Sequence, residues 1–160
     1  MSSNSYGYQS ISPIGVSHVC ATAKAQLGDR KWVKGNEYVY VYNAGGEEIY
    51  PGYGVCYSAV SGYSVTVSSV TEVNECAGVV ANVTFATADY GWILVNGFVK
   101  VEAPASDILA VGDRIQMGTD GVHAPVTTAT ALVAVNRIHG YMLDATASAG
   151  SALAHVKCYS

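Results

Sequence analysis

The chain has 160 residues, 8 Lys and Arg against 12 Asp and Glu for a formal net charge of −4, and is only 12% charged but 50% hydrophobic. That length suits one domain with a sizeable core, the acidic balance argues against a basic nucleic-acid binder, and the apolar content argues against a disordered chain. The type of apolar residue narrows the class: 23 Val against 6 Leu, and 12 Tyr against 2 Phe, favour strands over helices. β-Branched and aromatic side chains fit a pleated surface, so the expected fold is all-β, an antiparallel β-sandwich or a β-barrel-like domain with an extended N-terminal arm. A surface this poor in charge also points to self-association or to docking on a larger body.

Residues 1–17 are rich in Ser, Gly and Tyr, lack periodicity and read as that arm, held by contact and carrying Tyr6 and Tyr8; residues 18–160 read as a single β-rich domain. No apolar run is long enough to cross a bilayer and the first ten residues carry no leader-like pattern, so neither membrane insertion nor secretion is expected. Ala21 to Leu27 is a short helix candidate stopped by Gly28-Asp29. Next comes the one basic patch, Arg30, Lys31 and Lys34 around Trp32, whose composition suits docking against an acidic partner or a neighbouring subunit, with a purely structural Trp32 as the alternative.

Glu37 to Tyr42 alternates strictly, which puts Val39 and Val41 towards the core and Tyr38, Tyr40 and Tyr42 in a stripe on the other face. Seven tyrosines fall between Tyr38 and Tyr63, and phenol rings with polar tips suit a contact surface, with packing between sheets as the alternative. Asn43 to Gly46 reads as a turn with Glu47 to Tyr50 returning as a hairpin. Further strands are expected at Gly54 to Val60, Tyr63 to Val70, Gly78 to Phe85, Gly91 to Val101, Arg114 to Met117, Val122 to Val126, Ala131 to Leu143 and Ala152 to Tyr159. The spacing of turn signals is that of a meander of nine or ten short strands, with Trp92 in the core.

Catalytic and metal-binding signals are absent. His18, His123, His139 and His155 are scattered, the four cysteines show no CxxC, and neither a phosphate-binding glycine loop nor GxSxG occurs. Without a secretory context, Cys20, Cys56, Cys76 and Cys158 read as free, mostly buried thiols rather than two disulfides. Gly112-Asp113 and Thr119-Asp120-Gly121 read as turns, and the Asn82-Val83-Thr84 sequon as coincidence. No cofactor or metal is expected. A hydrolase would need several of these histidines, Cys20 and carboxylates to converge in one cleft.

The stretch Ala88 to Ala110, with its Tyr90-Gly91-Trp92 strand start, followed by Val111-Gly112-Asp113 leading into Arg114-Ile115, resembles the decoration or cement proteins of tailed bacteriophage heads. The resemblance covers about the last 80 residues of the chain. It implies a virion structural protein on the capsid exterior, present in the host cytoplasm during assembly. Such a protein binds the major capsid protein of the mature head, stabilises contacts between neighbouring capsomers, and self-associates as a homotrimer without nucleic acid or membrane. Arg30, Lys31, Trp32, Tyr38, Tyr40, Tyr42 and the arm residues Tyr6 and Tyr8 are the expected interface. The alternative is a carbohydrate-binding β-sandwich of a head or tail appendage, with exposed tyrosines stacked on sugar rings.

Overall fold

The computed structural model describes residues 15–58, 62–67, 76–126, 138–146 and 149–158. Residues 1–14, with Tyr6 and Tyr8 and nearly all of the expected arm, lie outside them. The described residues are all-β: β1 (Arg30–Val33), β2 (Asn36–Asn43), β3 (Gly54–Tyr57), β4 (Ser64–Thr66), β5 (Gly78–Val79), β6 (Tyr90–Glu102), β7 (Arg114–Met117), β8 (His123–Pro125), β9 (Ile138–Met142) and β10 (Ser151–Lys157). Their order in the sheet is β1-β2-β4-β3-β5-β6-β10-β9-β7-β8, and β2 also pairs with β6. That extra pairing closes β2, β4, β3, β5 and β6 into a five-stranded barrel, from which β10, β9, β7 and β8 continue as an open antiparallel sheet.

The connectivity is not a meander. β2 runs parallel to β4 and antiparallel to the distant β6, and the expected hairpin from Tyr42 to Tyr50 does not form. Asn43 explains why. Its buried side-chain amide donates to the carbonyl oxygens of Glu47 (3.0 Å), Phe85 (3.4 Å) and Ala86 (3.0 Å), while its Oδ1 accepts the Gly45 N–H at 3.0 Å. The chain after β2 is thereby turned towards Phe85, whose backbone pairs with Ile49 at the end of the barrel. The helix candidate at Ala21 to Leu27 is likewise absent: the segment forms bends, and the N–H groups of Lys24 and Gly28 donate to the hydroxyl (3.0 Å) and carbonyl (2.9 Å) oxygens of Tyr40. An isolated two-turn helix is marginal, and bonds to β2 displace it.

Two buried clusters result. Val39, Val41, Val55, Val65, Phe85, Ile93 and Val95 fill the barrel. Tyr38, Tyr40, Trp92 and Leu94, on the outer side of β2 and β6, join Val101, Leu109, Ile115, Met142, Ala154 and Val156 of the open sheet and its loops in the second cluster. The 13-residue β6 belongs to both halves, and its parity changes on the way: Trp92 and Leu94 contribute to the second cluster before Gly97, Val99 and Val101 after it. Gly97 makes the change with φ +133°, in a conformation closed to side-chain-bearing residues. Asn36 stands in for a strand at this point, accepting the Phe98 N–H at 3.0 Å and donating to the Phe98 carbonyl at 3.4 Å.

Three strands start from one turn design. In Gln26–Asp29, Ala86–Asp89 and Ala110–Asp113 the aspartate N–H donates to the carbonyl three residues back, and its carboxylate accepts that residue's N–H at 3.1, 3.2 and 2.8 Å. The residue before each aspartate has positive φ: Gly28 (87°), Ala88 (66°) and Gly112 (86°). The turn expected at Gly112-Asp113 is therefore present, with a bond three residues back instead of two residues on.

Two substitutions test these backbone constraints. Gly97→Ala would place its Cβ inside the contact distance of Asn36 Oδ1 at a strained φ, and a loss of about 2 kcal/mol or more is expected by urea unfolding. Ala88→Gly relieves the one alanine held in the left-handed position of the three turns, and a gain of about 0.5–1 kcal/mol is expected in the same assay.

Candidate functional site

Alternation along β2 puts Val39 and Val41 in the barrel, as the sequence indicates, but the tyrosine face is covered. Tyr38 is 5% exposed and Tyr40 fully buried, with Tyr40 packed on Trp92 at 5.1 Å between ring centroids. Residues 16–28 lie over this face, with Val16, Ala25 and Leu27 packed on the cluster. Tyr38 and Tyr40 are thus core residues rather than an exposed interface, which corrects the sequence reading; Tyr42 is half-buried against Tyr90. Trp92 is buried, as expected.

The basic patch is also largely engaged within the chain. Arg30 forms a 2.6 Å ion pair with Glu37 across the β1–β2 ladder, and the Lys31 ammonium sits 5.7 Å from the Trp92 ring centroid. Trp32 points the other way and is 52% exposed on the β1 edge.

The buried polar groups that sequence reasoning missed lie between the barrel and the open sheet. His123 on β8 and His139 on β9 meet with Nδ1 and Nε2 2.8 Å apart, and His123 Nε2 lies 3.1 Å from the Gly52 carbonyl. Because a carbonyl only accepts, His123 donates from Nε2 and its Nδ1 accepts from His139. His139 is the unopposed residue of a bulge: Ile115 pairs with Gly140 and Gln116 with Ile138, which turns this imidazole into the interior. Cys158, just after β10, donates to the Cys76 sulfur at 3.4 Å, and Cys76 to the Gly78 carbonyl at 3.3 Å. The bond to Cys76, together with burial, pushes the Cys158 thiol up. For Cys76, burial works in the same direction, but the Cys158 bond and the His139 imidazole outweigh it and hold the thiol low. All four cysteines are free thiols, as expected, and no group of three or more potential ligands is placed to hold a metal among the described residues.

A second arrangement lies on the outer face of the open sheet. The pairing registers set Phe98 (β6), His155 (β10), Tyr141 (β9) and Arg114 (β7) opposite one another in one row across four adjacent strands. The Tyr141 and His155 rings stack at 5.3 Å, and Phe98 meets His155 edge-on at 5.1 Å. Phe98 and Tyr141 are exposed. Beside this row opens a cavity of about 490 Å³ lined by Arg114, Tyr141, His155, Lys157, His139 and glycines 112 and 140. Its wall is fixed by backbone bonds from Gly112 N–H to the Met142 carbonyl and from Met142 N–H to the Asp113 carbonyl, both 2.9 Å.

No family model and no curated protein matches the chain. Among solved structures, the crystal structure of the head fiber gp8.5 N base in bacteriophage phi29 is similar, with a TM-score of 0.54 and 16% identity over 75% of this chain and 94% of that one. At that identity the likeness shows the fold, and it agrees with the all-β architecture read from composition.

The His123–His139 pair predicts acid sensitivity. Burial, and then the charge of His139, hold His123 well below its ordinary 6.5, so below that pH the unfolded chain takes up a proton that the folded chain refuses. This contribution is complete above about pH 6.5 and is lost as the pH falls towards the folded value, at up to about 1.4 kcal/mol per pH unit. Thermal unfolding between pH 7.5 and 5 should show a falling Tm, with a flatter profile in His123→Gln.

Proposed function

We propose that this chain is a structural protein of a phage head, bound to the outer surface of the mature shell, where it stabilises contacts between neighbouring capsomers. The observation that carries the reading is the fold shared with the phi29 head fiber base over 94% of that chain. The surface chemistry supports it. Among the described residues β1 pairs on one side only, with β2, and Trp32 stands exposed on that edge, an aromatic anchor of the type that dominates protein interfaces. Ile108 and Val111, 67% and 66% exposed in the β6–β7 connection, add apolar contact area.

In this reading the partner is the major capsid protein and the copies self-associate as a homotrimer. Many modest contacts then accumulate on a repeating shell through multivalency, and binding only to the expanded state stabilises that state by mass action. Arg30 and Lys31 act here by bracing β1 behind Trp32 rather than as free cations. The role requires no catalytic chemistry. The tyrosine-stripe version of a carbohydrate module loses its basis, since Tyr38 and Tyr40 are buried.

Sedimentation of the protein with emptied, expanded capsids should show binding that saturates at a fixed ratio to the major capsid protein, with light scattering giving the mass of the free oligomer. Trp32→Ala should weaken capsid binding at least tenfold with Tm unchanged, as expected for an exposed anchor. A chain that ignores capsids would sink the proposal.

A further inference from the structure

The open cavity beside the Phe98–His155–Tyr141–Arg114 row shares no lining residue with the proposed head-docking residues Trp32, Ile108 and Val111, and has its own chemistry. In a chain of net charge −4, Arg114 and Lys157 both line one depression, together with His155. Among the described residues no carboxylate lines it. Asp113, the neighbour of Arg114, is held away by its bond to the Ala110 N–H at 2.8 Å. The positive charge in the cavity is thus uncompensated by its own lining, and the complementary occupant is an anion.

The rings define the rest of the ligand. The Tyr141 and His155 rings stack one face of each on the other at an interplanar angle of 29°, and the exposed Tyr141 still offers its other face beside C–H edges, a phenolic hydroxyl and an imidazole nitrogen. Hydroxyl groups on a ring need hydrogen-bonding tips beside apolar edges, which is what the row presents. The volume, about 490 Å³, falls within the range of small-ligand sites, and the cavity lies on a sheet face rather than along an edge where a peptide strand would add. At Gly112 a Cβ would meet nothing within 4 Å, so the mouth is open where a side chain would narrow it.

We propose that this cavity binds an anionic saccharide, a sugar ring bearing a carboxylate or phosphate, with Arg114 and Lys157 pairing the acid group and Tyr141 and His155 meeting the ring hydroxyls. Arginine suits the acid group because its planar fork meets two oxygens at once. Head docking is not a premise of this assignment, which rests on the cavity's own lining.

The test is a titration of the full chain followed by amide NMR shifts, with digalacturonic acid and glucose 6-phosphate as anionic probes. Maltose, inorganic phosphate and an acidic hexapeptide are the comparisons. At least one anionic sugar should shift the resonances of Tyr141, His155 and Arg114, with affinity at least tenfold above maltose and above inorganic phosphate. Which of the two binds identifies carboxylate or phosphate as the acid group. Arg114→Gln with Lys157→Gln should lower that affinity at least tenfold at unchanged Tm, since both side chains are exposed, and Tyr141→Ala should lower it while sparing capsid sedimentation. Silence of these resonances at 10 mM of both anionic sugars would overturn the proposal. Equal binding of inorganic phosphate would also overturn it by removing the sugar, and tighter binding of the acidic peptide would make the face a protein-docking surface instead.

Discussion

A single strand too long for one sheet organises this protein. β6 closes the barrel against β2 and β5 with its first half and starts the open sheet against β10 with its second, so the two halves share one backbone. A strand with strict period two could not bury the right residues in both settings, because the side chains facing the second cluster must change parity partway along. Gly97 provides that change, and Asn36 supplies the hydrogen bonds that a regular neighbour would have made to Phe98. The same change of parity leaves Phe98 outside, where it begins the aromatic row of the candidate ligand face.

Several polar groups inside serve construction, while the Tyr57 hydroxyl and the Trp92 Nε1 are buried without a hydrogen-bond partner among the described residues. Asn43 pairs its amide with three carbonyls and an N–H, and so redirects the chain after β2. Tyr40 accepts the Lys24 N–H and fastens the covering segment on the outside of the barrel. The two histidines and the Cys76–Cys158 pair satisfy one another where the barrel meets the open sheet. A buried polar group without a partner costs on the order of 1–3 kcal/mol, so each of these pairings also excludes alternative packings that would break it. Among the described residues, the large apolar side chains left outside are Trp32 on one edge, Tyr50, Tyr63, Ile108 and Val111 on connecting segments, and Phe98 and Tyr141 beside the cationic cavity.

The resemblance that led from the sequence to phage heads rests on local chemistry that the structure explains. Val111-Gly112-Asp113 is one of three equivalent turns, and Ala86-Thr87-Ala88-Asp89, directly before Tyr90-Gly91-Trp92, is another. Both halves of the quoted stretch therefore begin with the same device: a positive-φ residue followed by an aspartate that ties down the chain entering a strand. Its third use, at Gln26–Asp29, lies in the segment read as a helix candidate, where the Gly28-Asp29 stop signal was in fact this turn.

By itself the sequence determined what is local. Valine and tyrosine content set an all-β chain, Arg114 to Met117 was bounded as observed, the alternation of β2 was right residue by residue, and Trp92 belonged inside. Period-two alternation says that two faces differ but not which one water reaches. Only the tertiary structure decided that Tyr38 and Tyr40 are covered by residues 16–28, that β2 closes on β6, and that His123, His139, Cys76 and Cys158 converge. The reason is the distance along the chain over which these choices are made: Asn36 meets Phe98 across 62 residues and Cys76 meets Cys158 across 82. Such contacts depend on how all the elements pack at once, and no spacing between neighbouring residues carries a signal for them.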